Sequence, residues 1–339
     1  MQKGKELRMR AIEKEDVKIL EIAANVLDSF TGKAGITEEP LDCGSSMYEL
    51  IQGYAHRILT SDKVKTGFFQ EGSEAGEMLK RYQDKDFMEA DQILAGMLFA
   101  IMQKNADIPP AYLYVVRFKT AEKDYLGIFK VNYKDSRRLR VVDGQPQMEI
   151  IRGSMPKNAT LAEAAAIDLD NMKIRLTEKK YEVNGIKSNY FSEYFLKCGT
   201  KPSEENKLKV VLNAVDNCAE GDGTKEPYVV LQRKIAVRET MRKLLEEDGK
   251  IKICEVCSCM AEREKEEFKK RMEQRGLWDE EIEPIQEGTT KKLRETRVKT
   301  WGGIDIRVPE EYADKMQISV QENDQMEIRI KNLEGLFAI

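Results

Sequence analysis

The chain has 339 residues, 41% hydrophobic and 34% charged, with a formal net charge of −4. That length supports one large domain or two to three modest ones, and the negative balance excludes a protein that coats nucleic acid through overall positive charge. No run approaches the roughly 20 apolar residues that a membrane span requires, which excludes an integral helical membrane protein.

Six cysteines in so long a chain do not make an extracellular disulfide framework. The basic start, Met1 to Arg10, lacks a following apolar signal core, so a reduced, cytoplasmic location is expected.

Taken in order, residues 1–40 are polar and turn-rich around Val17 to Phe30, a run whose helix and strand signals conflict. Met47, Leu50, Ile51, Tyr54, Ala55, Ile58 and Leu59 recur at three- and four-residue spacing, which predicts a helix with one buried stripe. Two more helices are predicted over Glu74 to Tyr82 and Phe87 to Gln103. Pro109-Pro110 stops the last of them, and Ala111 to Tyr133 follows, dense in aromatic and β-branched residues around a polar break at Thr120 to Asp124. This stretch predicts a β-hairpin whose two faces are both apolar, so that other elements must cover each face.

Asp143-Gly144 marks a tight turn between strands over Arg138 to Val142 and Gln147 to Ile151, predicted to extend the sheet. Ala162 to Leu176 fits either a helix or two strands about Asp170-Asn171. Helices follow over Tyr190 to Lys197, Ser203 to Ala219, Tyr228 to Glu247 and Ala261 to Gln274, and Thr296 to Ile330 alternates as strands. The fold class expected is α+β: an N-terminal helix-covered, mainly antiparallel sheet (1–155), a helical middle (156–250) and a C-terminal helix plus strands (251–339).

Little in the chain reads as catalytic. Cys254, Cys257 and Cys259 look like half a zinc site, but tetrahedral zinc needs four ligands and no second pair of this spacing exists. Small, semi-buried residues at a strand-to-helix passage explain them as well. His56 is the only histidine, which excludes histidine-based triads and two-histidine metal centres. Gly72 to Gly76 lacks the Lys-Ser/Thr of a phosphate loop, and Ser73 reads as a helix cap. Asp168 and Asp170 would share a strand face as a metal-binding pair does, yet Asp124 is followed by Ile128-Phe129-Lys130 without the second carboxylate of a nuclease. No metal or cofactor is called for.

Two basic stretches remain as candidate DNA contacts. Lys130, Lys134, Arg137, Arg138 and Arg140 gather at the exit of the hairpin, and Lys291, Lys292, Arg294, Arg297 and Lys299 precede the last strands. Such clusters neutralise phosphates and release counterions, giving sequence-tolerant, salt-sensitive duplex affinity. The alternative for both is a solvated face laced with ion pairs.

Three stretches in order also carry a likeness. They are Tyr48 to Arg57 with Gly67-Phe68-Phe69, Ser73-Glu74 and the Phe87 to Leu98 helix; Asn189 to Leu196 with Cys198-Gly199 and Leu212 to Val215; and Trp301 to Ile306 with Met326 to Lys331. Together they resemble the bacterial 37-kDa nucleoid-associated protein family. The resemblance implies a cytoplasmic, nucleoid-located, DNA-associated protein without catalysis, and it supplies no contact residues, so the ten named above rest on charge clustering. Double-stranded DNA is the partner expected, with DNA-processing proteins and a second copy of the chain as further partners and no membrane. The competing reading is an adaptor that holds a DNA-processing enzyme through its charged 261–287 segment and does not touch DNA.

Overall fold

The computed structural model describes residues 12–42, 44–82, 87–121, 123–142, 145–154, 161–220, 227–284, 290, 293, 295–299, 305–309, 316–320 and 326–330. The chain divides into two compact units, Met9–Ser203 and Glu204–Ile339 with Met1–Arg8. The boundaries expected at 155 and 250 both fall inside these units: pairing of residues 125–130 with 163–168 spans the first, and a shared core of residues 208–241 and 251–293 spans the second.

In the first unit the helices are α1 (Ser45–Thr60), α2 (Glu74–Lys80) and α3 (Phe87–Gln103). The strands are β1 (Lys18–Asp28), β2 (Lys33–Gly35), β3 (Lys65–Phe69), β4 (Ala111–Lys119), β5 (Asp124–Asn132), β6 (Lys134–Val142), β7 (Gln145–Ser154), β8 (Glu163–Asp168), β9 (Lys173–Thr177), β10 (Tyr181–Val183), β11 (Ile186–Ser188) and β12 (Cys198–Lys201). Eight of them form one antiparallel sheet in the order β12-β3-β9-β8-β5-β4-β1-β2. The β4–β5 hairpin lies at the centre of this order, with Val115 opposite Ile128 and Lys119 opposite Asp124.

Both faces of that hairpin are covered. Leu113, Val115, Leu126 and Ile128 join Leu94 and Leu98 of α3 in one buried cluster. Tyr114, Val116, Phe118, Phe129 and Val131 join Ile51, Tyr54 and Ile58 of α1 in another. Alternation along each strand sends successive side chains to opposite faces, and here each face meets a helix, so the hairpin reads as a nearly continuous apolar run. Burying one such side chain is worth about 1.5–3 kcal/mol, which makes these two clusters the unit's main source of stability.

The two ambiguous segments are strands. Residues Val17 to Phe30 contain β1, which pairs along its length with β4. Ala162 to Leu176 is the β8–β9 hairpin; its alanines line β8 between β5 and β9, where strand pairing outweighs their helix propensity. By contrast, β6 and β7 do not extend the main sheet as expected: among the described residues they pair only with each other.

The second unit contains α4 (Glu204–Glu220), α5 (Pro227–Asp248), β13 (Ile251–Lys252), a 3-10 turn (Ile253–Cys259), α6 (Glu262–Glu273) and β14 (Glu281–Ile282). Two hairpins follow, β15 (Glu295–Lys299) with β16 (Asp305–Pro309) and β17 (Met316–Val320) with β18 (Met326–Ile330). Its core joins Val211 and Val215 of α4, Met241 of α5, Ile253 and Val256 of the turn, and Phe268 and Met272 of α6. Among the described residues no helix is long and apolar enough to cross a membrane.

One buried carboxylate in the first unit makes stability depend on pH. Asp91 of α3 is fully buried; its Oδ1 accepts from Asn25 Nδ2 at 2.7 Å and its Oδ2 meets no donor. Burial pushes its pKa up to about 6, against the opposing effect of the Asn25 hydrogen bond. The folded state therefore holds a proton that the unfolded chain releases at lower pH, so this stabilisation is full below about pH 4 and is lost as pH rises through about 6. Urea unfolding followed from pH 4 to 7 is expected to show this decline, and Asp91→Asn is expected to remove it.

Candidate nucleic-acid interface

The basic stretch at the hairpin exit is split by the fold. Lys130 is a correction to the expected contacts: it is fully buried, and its Nζ donates to Glu163 Oε2 at 3.0 Å and Asn132 Oδ1 at 2.6 Å. It points to the same face as Leu126 and Ile128, two and four residues earlier in β5, so solvent and phosphate are both out of reach. The register places Glu163 of β8 directly opposite it.

Around this pair sits a closed polar network. Tyr190 donates its hydroxyl to Glu163 Oε2 at 3.2 Å, Asn132 Nδ2 donates to the Tyr181 hydroxyl at 3.1 Å, and the Lys130 ammonium lies 5.9 Å from the Tyr181 ring centre. Burial lowers the Lys130 pKa, while the charge and hydrogen bond of Glu163 work in the opposite direction. The Tyr190 hydroxyl is raised well above its ordinary value by burial and by Glu163. The network is structural: it pairs the Lys130 charge that the central sheet has taken out of water, with Glu163 answering through Oε2 while its Oε1 meets no donor.

The other four residues of this stretch lie on β6. Lys134, Arg137, Arg138 and Arg140 fall within nine residues of one strand, where the backbone register sets Arg138 opposite Glu149 and Arg140 opposite Gln147. The β6–β7 pair is a two-stranded ribbon hydrogen-bonded only within itself among the described strands. Of the second stretch, Arg297 and Lys299 occupy β15, opposite Arg307 and Asp305 of β16. Lys291, Lys292 and Arg294 lie outside the described residues.

The residues weighed for chemistry have structural roles. Asp168 Oδ1 accepts from the backbone N–H groups of Asp170 and Asn171 at 3.0 and 3.3 Å, and Oδ2 accepts from Lys123 Nζ at 2.8 Å, so it closes the β8–β9 turn. Burial acts to raise its pKa, but the hydrogen bonds from Lys123 and the turn outweigh burial and hold it low. Nearby, a shallow cavity of about 580 Å³ is lined by Glu15, Asp16, Asp124 and Asp170 and by Lys18, Lys119 and Lys123, a mixture that favours neither sign of ligand. His56 Nε2 lies 2.9 Å from the Ile12 carbonyl oxygen and ties α1 to the segment before β1. Cys257 is buried in the 3-10 turn and donates to the Cys254 carbonyl at 3.3 Å. Among the described residues no group of three or more His, Cys, Asp or Glu side chains is placed to hold a metal ion.

Reading runs of like charge missed one feature. At the β12 edge, Phe68, Lys173 and Lys201 are exposed and brought together by strand pairing although far apart in sequence. Only register, which a count of neighbouring charges does not contain, joins them.

The fold is thus that of an α+β protein built on an antiparallel sheet covered on both faces, with its clustered arginines carried on separate paired strands. Residues 25–335 match the family model described as nucleoid-associated protein YejK, and the chain belongs to that family. Membership gives the protein a nucleoid-associated role. No curated protein matches the sequence.

Removing the Lys130 ammonium tests the structural assignment. Lys130→Met leaves Glu163 buried without a counter-charge, and urea unfolding is expected to show a loss of about 3–5 kcal/mol. Pairing it with Glu163→Leu is expected to recover most of that loss.

Proposed function

We propose that the protein binds double-stranded DNA of the nucleoid mainly through phosphate contacts and performs no catalysis. The observation that carries this reading is the β6–β7 ribbon: Lys134, Arg137, Arg138 and Arg140 on one strand of a pair that takes no part in the main sheet. A two-stranded ribbon fits the width of the major groove, and arginine donates to phosphate in a fixed two-pronged geometry. Arg297 and Lys299 on β15, with Lys291, Lys292 and Arg294 before them, form the second group of contacts. Family membership supports the DNA association, and the net charge of −4 requires that it be local.

The adaptor reading rests on the charged segment that includes α6, and the structure weakens it. Within α6 Lys265 pairs with Glu262 at 2.8 Å, Arg271 with Glu267 at 2.6 Å and Lys269 with Glu273 at 3.8 Å. Its charges largely answer one another along the helix, as i,i+3 and i,i+4 pairs do, and leave little one-signed field for a partner.

Charge reversal at Arg137→Glu with Arg138→Glu is expected to weaken duplex binding evenly across sequences. Each lost phosphate contact lowers the slope of log affinity against log salt by about 0.9. Gel retardation over a salt series reads both quantities. Unchanged affinity in the double variant would remove the ribbon as the contact surface, and no retardation of the wild-type chain at low salt would favour the adaptor.

A further inference from the structure

Packing in the second unit accounts for the burial of Cys257 and leaves the two thiols beside it unexplained. The 3-10 turn Ile253–Cys259 reads Ile-Cys-Glu-Val-Cys-Ser-Cys. Ile253, Val256 and Cys257 face the core shared with α4, α5 and α6, which fixes the turn against its surroundings. Cys254 is half-buried and Cys259 exposed, and neither belongs to that core.

A 3-10 helix has three residues per turn, so side chains at i and i+3 eclipse one another with Cα atoms about 6 Å apart. Cys254 and Cys257 hold that relation, within the span of about 4.4–6.8 Å that a disulfide bridges. The Cys257 side chain is turned back toward this partner: its Sγ donates to the Cys254 carbonyl at 3.3 Å. Cys259 lies two residues further on, where the same periodicity sends its side chain to another side of the helix. There it lines a cavity of about 270 Å³ with Val229, Val237 and Met260, which Cys254 and Cys257 do not line.

The two thiols of the pair are also graded in their surroundings. Burial raises the Cys257 pKa; Lys265 of α6, itself held by Glu262 at 2.8 Å, works the other way, and the neighbouring Cys254 and Cys259 add to the rise. Cys257 therefore rests as a protonated thiol one turn away from a thiol that solvent reaches. An accessible thiol set beside a buried resolving one is the arrangement of redox-responsive sites.

We infer that Cys254 and Cys257 form a redox-active dithiol that exchanges with low-molecular-weight disulfides. Cys254 Sγ, as thiolate, attacks one sulfur of a disulfide R–S–S–R; that S–S bond breaks, one RS⁻ leaves and takes up the proton Cys254 released, and a mixed disulfide stands on Cys254. Cys257 Sγ then loses its proton and attacks the Cys254 sulfur, expelling the second RS⁻, which leaves as RSH. Two protein thiols are thereby oxidised to one disulfide, and R–S–S–R is reduced to two RSH. The ring so closed encloses only Glu255 and Val256, and so short a loop adds little constraint to the unfolded chain. The bond is accordingly one for reversible exchange, not for holding the fold. The site is independent of the duplex-binding reading, since it uses other residues and needs no nucleic acid.

The test equilibrates the full chain with reduced and oxidised glutathione at a series of ratios, quenches with acid, alkylates the free thiols and maps the peptides by mass spectrometry. Wild type is expected to yield a Cys254–Cys257 disulfide that dithiothreitol reverses, while Cys259 is recovered free or as a glutathione adduct. Cys257→Ala is expected to turn the glutathione adduct on Cys254 from a trace into the major form. Cys254→Ser is expected to lose the internal disulfide and Cys259→Ser to keep it. Thermal unfolding of each variant checks the fold, and the wild-type map decides the matter even where Cys257→Ala does not fold. Absence of the Cys254–Cys257 disulfide at every ratio, pairing through Cys259 in its place, or a folded Cys257→Ala chain without an adduct on Cys254 overturns the dithiol.

Discussion

Burial of the β4–β5 hairpin on both faces is the constraint from which the rest of the first unit follows. Once α1 and α3 close over it, each side chain they cover must be apolar or answered by a partner in the interior. Lys130 is the charged case, with its ammonium met by Glu163 and Asn132 and the ring of Tyr181 close by. Polar side chains that touch water are consequently left to the ends of the hairpin and to elements outside the closed centre of the sheet. Any surface that recognises a large anionic partner must be built there.

Much of this organisation was legible in the sequence. The aromatic and β-branched density of Ala111 to Tyr133 marked the central hairpin, and its observed strands, Ala111–Lys119 and Asp124–Asn132, flank the polar break where the turn was expected. The periodic stripe from Met47 to Leu59 became α1, and Phe87–Gln103 became α3. What stayed open, or was missed, was the choice of partners beyond the local segment. Alanine favours helix in isolation, yet Ala164, Ala165 and Ala166 sit in a strand because β5 and β9 flank them. The tight turn at Asp143-Gly144 announced a hairpin and could not say that the hairpin would stay outside the sheet.

The candidate site was legible to the same limited degree. A run of charge locates arginines along the chain, but the pleat of a strand decides which of them meet solvent. Lys130 counted as basic surface because Lys134 and Arg137 follow it, although the alternation of β5 turns it inward beside Ile128. Phe68, Lys173 and Lys201 posed the converse difficulty. They are scattered in sequence, and only the pairing of β3 with β9 and β12 makes them neighbours. Seeing them together requires the register, which depends on contacts between segments far apart in the chain.

The ion pair at the sheet centre also bears on how the chain finds its fold. Strand β8 offers three consecutive alanines to β5, and sliding one strand past the other by a residue would change little in volume or apolarity there. Such a slip would place Lys130 against Ala162 or Ala164 and strand its charge in a dry interior. Misaligned arrangements are thereby penalised as soon as the helices close, so a pair that adds little to net stability serves as a proofreading step for the alignment of an otherwise featureless strand.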